Sequence, residues 1–176
     1  MGKGPKFAIG DWVTVRSKEE ILQTLDAKGQ LDGMPFMPEM FQFCGQRFQV
    51  HKSAHKTCDY SVYPYRVRRL VRTVHLETRC DGEAHGGCQA GCLLYWKENW
   101  LRAATDNAEE HREAHGGKNA DSIESAIRSG VQQPHTDDGT PTYICQMTQI
   151  PYATASLAWY SQRIGRPKPI PAWLRP

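Results

Sequence analysis

The sequence predicts an α+β domain built on a small, curved antiparallel sheet, barrel-like in outline, with several helices and a Cys/His metal loop at a helix N-terminus. Three observations carry this expectation. Short segments rich in β-branched residues recur between turn residues through the N-terminal half. Ser17-Lys18-Glu19-Glu20 is a capping box followed by apolar residues at helical spacing. Arg79 to Cys92 packs three cysteines and one histidine into a glycine-rich loop just before an apolar, tryptophan-containing stretch.

Taken in order, Phe7 to Arg16 alternates around β-branched residues after a Gly-Asp turn and predicts a strand. Ile21, Leu22 and Leu25 form one apolar stripe on the helix that Ser17 caps, with Gly29 as its C-cap. Leu31 to Pro38 is an apolar loop with two prolines, read as a buried connector, with a lid or pocket wall as the alternative. Pro38 opens a short helix through Phe43, which Gly45 ends. Arg47–His51 and Val67–Glu77 predict two further strands, and Gln89–Ala104 a long helix carrying Trp96 and Trp100 into the core.

Beyond Thr105 the composition turns polar. A solvated helix to Gly117, a short helix from Ser122 to Arg128 and a linker from Gln132 to Pro141 are expected. Tyr143–Ile150 predicts a strand, Tyr152–Ile164 a helix, and Arg166–Trp173 an extended proline-rich tail. The organisation expected is therefore a metal-binding α+β domain over 1–104, a polar helix and linker over 105–141, and a strand–helix–tail unit over 142–176 that packs back on the domain.

A net charge of +3 permits an acidic partner without calling for one. No apolar run reaches membrane-spanning length, and Gly10-Asp11 interrupts any signal-like h-region. Gly2 lacks the Ser or Thr at position 6 that a myristoylation signal needs, because Lys6 stands there. A cytoplasmic protein with no membrane association and six reduced cysteines is expected, and clustered cysteines in that setting point to metal or catalysis.

Soft sulfur donors, an imidazole and a flexible backbone are what zinc or an iron–sulfur cluster requires. Cys80, Cys88 and Cys92 are the core candidate ligands. Cys58 and His85 compete for the fourth place, with Cys44 and His55 behind them; His55-x2-Cys58 is a usable ligand pair. Cys145, in an apolar stretch, is assigned to the core, and His75, His111, His115 and His135 to structural or solvated roles.

The spacing Cys80-x4-His85-x2-Cys88 resembles the cysteine loop of plant-type [2Fe–2S] ferredoxins, with His85 in place of a cysteine. Cys80-Asp81-Gly82-Glu83-Ala84-His85 is similar to the Cys-Asp-Gly-Ser-His box of the CDGSH iron–sulfur family, one residue longer and without that family's paired upstream cysteines. Each resemblance spans under ten residues and implies a cluster rather than a fold. The longer string also resembles a bacterial Cys/His-rich family, and no activity comes with that resemblance.

The function expected is a small metalloprotein binding an iron–sulfur cluster, [2Fe–2S] favoured, in a redox or electron-transfer role with a partner protein or a small-molecule substrate. Glu77, Glu83 and His85 stand ready to handle protons. One alternative is a zinc-stabilised binding module. Its basic stretch, Lys52, Lys56, Arg66, Arg68, Arg69, Arg72 and Arg79 with Tyr60, Tyr63 and Tyr65, has the composition of a nucleic-acid surface, although a solvated strand face is the preferred reading. The other alternative is a metal-dependent enzyme. No nucleophile elbow, phosphate loop or dinucleotide fingerprint is present.

Overall fold

The computed structural model describes residues 6–60, 62–104, 120–133 and 138–157. Its centre is a curled five-stranded antiparallel sheet in half-barrel form. The strands are β1 (Trp12–Val15), β4 (Arg47–Ser53), β7 (Thr73–Arg79), β8 (Leu93–Lys97) and β9 (Leu101–Ala103), in the order β8-β7-β4-β1-β9. Register shifts between Val50 and Lys52 and between His75 and Arg79 supply irregularities of the kind that curl a sheet. A smaller sheet joins β5 (Lys56–Asp59), β6 (Arg66–Arg69) and β12 (Ala155–Ser156).

The expected α+β class is what the structure has. The capping box forms as read: Ser17 Oγ accepts the amide of Glu20, and Glu20 Oε2 accepts the amide of Ser17. The helix it starts, α1 (Lys18–Leu22), is short, so Gly29 is not its C-cap. Gly29 instead sits at φ +72° with Ile127 of α2 (Ala120–Gly130) against its Cα. Asp32 and Gly33 both take positive φ, which closes β2 (Gln30–Leu31) and β3 (Met34–Pro35) into a tight hairpin. Met34, Phe36 and Met37 are buried, as a connector through the core requires. The short helix from Pro38 to Phe43 forms as a 3-10 helix.

Phe36 ties the core together. Its ring meets Phe41, Trp96 and Trp100 edge-on at centroid distances of 5.1, 6.2 and 5.2 Å. Val13, Val15, Val50, Val74 and Leu76 cover the same face of the sheet from β1, β4 and β7.

Four expectations are corrected. Gln89–Ala104 is not a helix: it holds β8, a 3-10 turn from Glu98 to Trp100, and β9. Residues Leu94 to Lys97 are buried on both sides of the strand, so no polar–apolar alternation marked it, and Trp96 and Trp100 mimicked helical spacing. The Cys/His loop therefore opens a strand. Val67–Glu77 divides into β6 and β7 around Arg72, whose φ is 49°. Tyr143–Ile150 contains β11 (Thr142–Tyr143), paired with β10 (Gln132–Gln133), and then the start of α3 (Gln146–Ala153). The buried residues Gln146, Ile150 and Ala153 follow helical rather than strand spacing. The expected helix over Tyr152–Ile164 overlaps the end of α3 and β12; its remainder, the polar segment 105–117 and the tail lie outside the described residues.

Arg68 leaves the solvated basic face and ties β6 to the end of α3, donating to the carbonyls of Pro151 and Thr154 at 2.7 and 2.9 Å. Among the described residues no helix is long and apolar enough to cross a membrane.

Candidate metal centre

The loop after β7 is closed at its neck, where the amide of Cys80 donates to the carbonyl of Cys92 at 2.9 Å. Arg79 Nη1 reinforces the neck by donating to the carbonyl of Gly91. Inside the loop, Asp81 Oδ1 accepts the amide of Glu83, and Gly82 O accepts the amides of His85 and Gly87. Gly82 is fixed by space as well as by its φ of +78°, since a Cβ there would lie 1.9 Å from the carbonyl oxygen of Cys88.

This fold of the loop buries His85 and aims it. Its Nε2 lies 3.2 Å from the carbonyl of Ile144, an acceptor only, so Nε2 carries the proton. Nδ1 is left with a lone pair facing Cys80 Sγ at 3.7 Å. An imidazole whose second nitrogen is held by a backbone carbonyl is oriented as metal-binding histidines are.

Glu39 completes the group from the 3-10 helix. Ligand atoms of Glu39, Cys80 and His85 all lie within 4.8 Å of one another. Glu39 is buried, and its Oε2 has no hydrogen-bond partner among the described residues. A buried carboxylate oxygen without a donor is costly unless a cation meets it. Burial, and then the Glu39 carboxylate, push the Cys80 thiol up to about 12. A bound divalent ion inverts that balance and deprotonates the thiol.

The group forms one wall of a pocket of about 270 Å³. Cys88, Cys92 and Cys145 line it too, with Met37, Leu93 and Met147 among its apolar residues. Cys145 N-caps α3, and its amide donates to Thr148 Oγ1 at 3.0 Å. Burial raises the Cys92 thiol first, followed by the proximity of Cys145 and then of Cys88.

Cys80, His85, Cys88 and Cys92 thus line one pocket together with Cys145 and Glu39, and within that lining Glu39, Cys80 and His85 are the residues whose ligand atoms all approach one another. Assigning Cys145 to the core is corrected: it stands half-buried at a helix N-cap and lines the pocket. Its helical context was the missing signal. Glu39 had none beyond an ordinary acidic residue in a helix's first turn.

Cys58, His55 and Cys44 do not line the pocket. Cys58 sits in β5 opposite Val67, with Tyr60 as a close neighbour. His55 is exposed, its Nδ1 3.0 Å from Ser53 Oγ. Cys44 ends the 3-10 helix, its thiol raised to about 12 by burial and then by Glu19. Between Cys58 and His85, the pocket takes His85. No protein-family model, curated protein or solved structure matches the chain.

Proposed function

We propose that this protein is a metalloprotein whose centre occupies the pocket between the Cys80–Cys92 loop and α3, and that the centre is an iron–sulfur cluster in a redox role. One observation carries the reading: four thiols, Cys80, Cys88, Cys92 and Cys145, converge on one small pocket from segments more than fifty residues apart. Four thiolates are the usual complement of a [2Fe–2S] or [4Fe–4S] centre. The pocket offers more room than a single ion needs, and its apolar residues would limit water at the cluster, a setting that tunes potential. His85 and Glu39 would stand beside it as a proton-carrying pair or as a replacement ligand.

A second reading is a mononuclear zinc site on Glu39, Cys80 and His85, closed by one further thiolate. The unpartnered Glu39 oxygen and the His85 tautomer favour it.

Purification without oxygen, followed by an absorption spectrum and iron, sulfide and zinc analysis, tests both. Visible colour with stoichiometric sulfide supports the cluster. One colourless zinc per chain supports the second reading and sinks the first. Protein that takes up neither metal removes both.

A further inference from the structure

The smaller sheet has one packed face and one open face. Its β5–β6 register sets Lys56 opposite Arg69, Thr57 opposite Arg68, Cys58 opposite Val67 and Asp59 opposite Arg66. Side chains alternate across a strand, so Thr57, Asp59 and Arg68 share one face. That face is the packed one. Thr57 Oγ1 lies 2.8 Å from the Tyr95 hydroxyl of the main sheet, Asp59 is buried, and Arg68 reaches both Asp59 and the end of α3. Lys56, Cys58, Val67 and Arg69 therefore belong to the outer face, and Tyr60 and Tyr65 continue its two rows.

Three tyrosines stand at one end of this face. Tyr60, Tyr63 and Tyr65 are 62, 89 and 59 % exposed. Their rings meet edge-on, Tyr60 with Tyr65 at 5.1 Å between centroids and Tyr63 with Tyr65 at 5.9 Å. Edge-on contacts leave ring faces open to a further planar group. Exposed rings gathered in this way mark an interaction site, where a single exposed ring would not.

The charge on the same face is unbalanced. Lys56 and Arg69 are both exposed and directly opposed, a like-charge pair that destabilises a sheet on its own. Asp59 is the one acidic residue between Lys52 and Arg72, and it lies on the packed face beside Arg68. The third strand, β12, adds only the small neutral Ala155 beside Arg69. Lys56, Arg66 and Arg69 make no ion pair among the described residues. Four residues of strand separate Lys56 from Tyr60, so cations and rings lie roughly 13 Å apart along one surface.

We propose that this open face binds single-stranded nucleic acid, with bases stacking on Tyr63 and Tyr65 and backbone phosphates held by Lys56 and Arg69. A polyanion removes the Lys56–Arg69 repulsion, and a base covers the open rings. A single strand carries both features at once, whereas a duplex keeps its base faces within its own stack.

Titration of the full chain with a fluorescent single-stranded oligonucleotide of about 12 nucleotides, as DNA and as RNA, tests this. The same titration uses the matching duplex, base-free polyphosphate and phosphatidylserine vesicles. Saturable single-strand binding that weakens with salt and exceeds the other three is the expected result. Tyr63→Ala and Tyr65→Ala each weaken it about five- to a hundredfold. Tyr63 is almost fully exposed, so its substitution leaves the unfolding midpoint unchanged. Lys56→Gln and Arg69→Gln each reduce the slope of log affinity against log salt by about one phosphate contact. Relief of the like-charge pair keeps their unfolding midpoints at or above the parent's. Metal content is the same in all four variants, so failure here is separate from failure of the metal centre. Absence of saturable single-strand binding, equal or tighter binding of duplex, polyphosphate or vesicles, or full retention of binding in both tyrosine variants overturns the proposal.

Discussion

Gln146 pairs with the main chain of Tyr95 as a neighbouring strand would: its Oε1 accepts the Tyr95 amide at 2.7 Å and its Nε2 donates to the Tyr95 carbonyl at 2.9 Å. Tyr95 lies on β8, an edge strand of the main sheet, so this one side chain completes an open edge. The same Nε2 also reaches the carbonyl of Pro35 at 3.1 Å. Gln146 follows Cys145 directly, so the contact that caps the sheet also places the distal cysteine at the pocket.

Replacing Gln146 by leucine keeps the volume and strands two buried backbone groups of Tyr95. Each unsatisfied group costs about 1–3 kcal/mol, so a loss of roughly 2–6 kcal/mol is expected. Urea unfolding should show the midpoint falling with little change in slope. A loss under about 0.5 kcal/mol would mean that the edge is satisfied some other way.

Lys97 is 3 % exposed, with its ammonium 2.9 Å from Asp32 Oδ2. Asp32 belongs to the tight β2–β3 turn and is largely exposed, so its position alone implies tolerance. Removing it leaves a buried cation without its carboxylate. Asp32→Asn, which tolerates the positive φ, should cost about 1–2 kcal/mol, less than a fully buried pair because water reaches the aspartate. Lys97→Met should recover most of that loss in the double variant, measured by a denaturation cycle.

How far the sequence disclosed this molecule depended on the distance over which each feature is decided. The Ser17–Glu20 box is settled within four residues, and it was legible. Strand β8 is settled by pairing to β7 and by burial on both faces, which erases the period that distinguishes strand from helix. The glycine-rich loop was legible as a candidate ligand cluster because its residues are contiguous. Cys145 was not, because only the docking of Gln146 on Tyr95, 51 residues away, brings it to the pocket. Cys58 does not line this pocket, because β5 pairs with β6 in a separate sheet, a pairing that nearness in sequence to the loop does not reveal.

Two glycines of the loop share a φ of +78° but differ in space. A Cβ on Gly82 meets the Cys88 carbonyl at 1.9 Å, while a Cβ on Gly87 meets nothing within 4 Å. Gly87→Ala should pay only the left-handed backbone cost of about 1–2 kcal/mol and, under the proposed metal reading, keep the parental metal content. Gly82→Ala must displace the backbone of Cys88 and should lose most of it. Equal metal content in the two variants would show that the loop re-forms around the ion regardless of this contact.

Cys44 makes stability sensitive to alkali. Burial holds its folded-state thiol near 12, against about 9 when solvated, so the unfolded chain releases the proton first as pH rises. Its contribution is present below pH 9 and fades between 9 and 12. Cys44→Ala should flatten that part of the stability profile relative to the parent chain. Parallel profiles would show that the thiol ionises alike in both states.

The sharpest comparison is between Cys145 and Cys58. Sequence spacing favoured Cys58, whereas the folded chain places Cys145 with Cys88 and Cys92 and leaves Cys58 in another sheet. Serine is nearly isosteric with cysteine but is a poor ligand for soft metals. Under the cluster reading, Cys145→Ser should lower bound iron and sulfide several-fold and bleach the visible absorption. Cys58→Ser should keep both at the parental level, and Cys44→Ser should behave like Cys58→Ser. Cys145 carries its thiol at the N-cap of α3 and makes its capping contact with Thr148 through the backbone amide, so the substitution spares that hydrogen bond. Thermal unfolding of the metal-free forms should therefore separate little between the parent and Cys145→Ser, which isolates ligand loss from misfolding. Full metal content in Cys145→Ser, together with loss in Cys58→Ser, would mean that the metal assembles a different pair of segments from those the folded chain brings together.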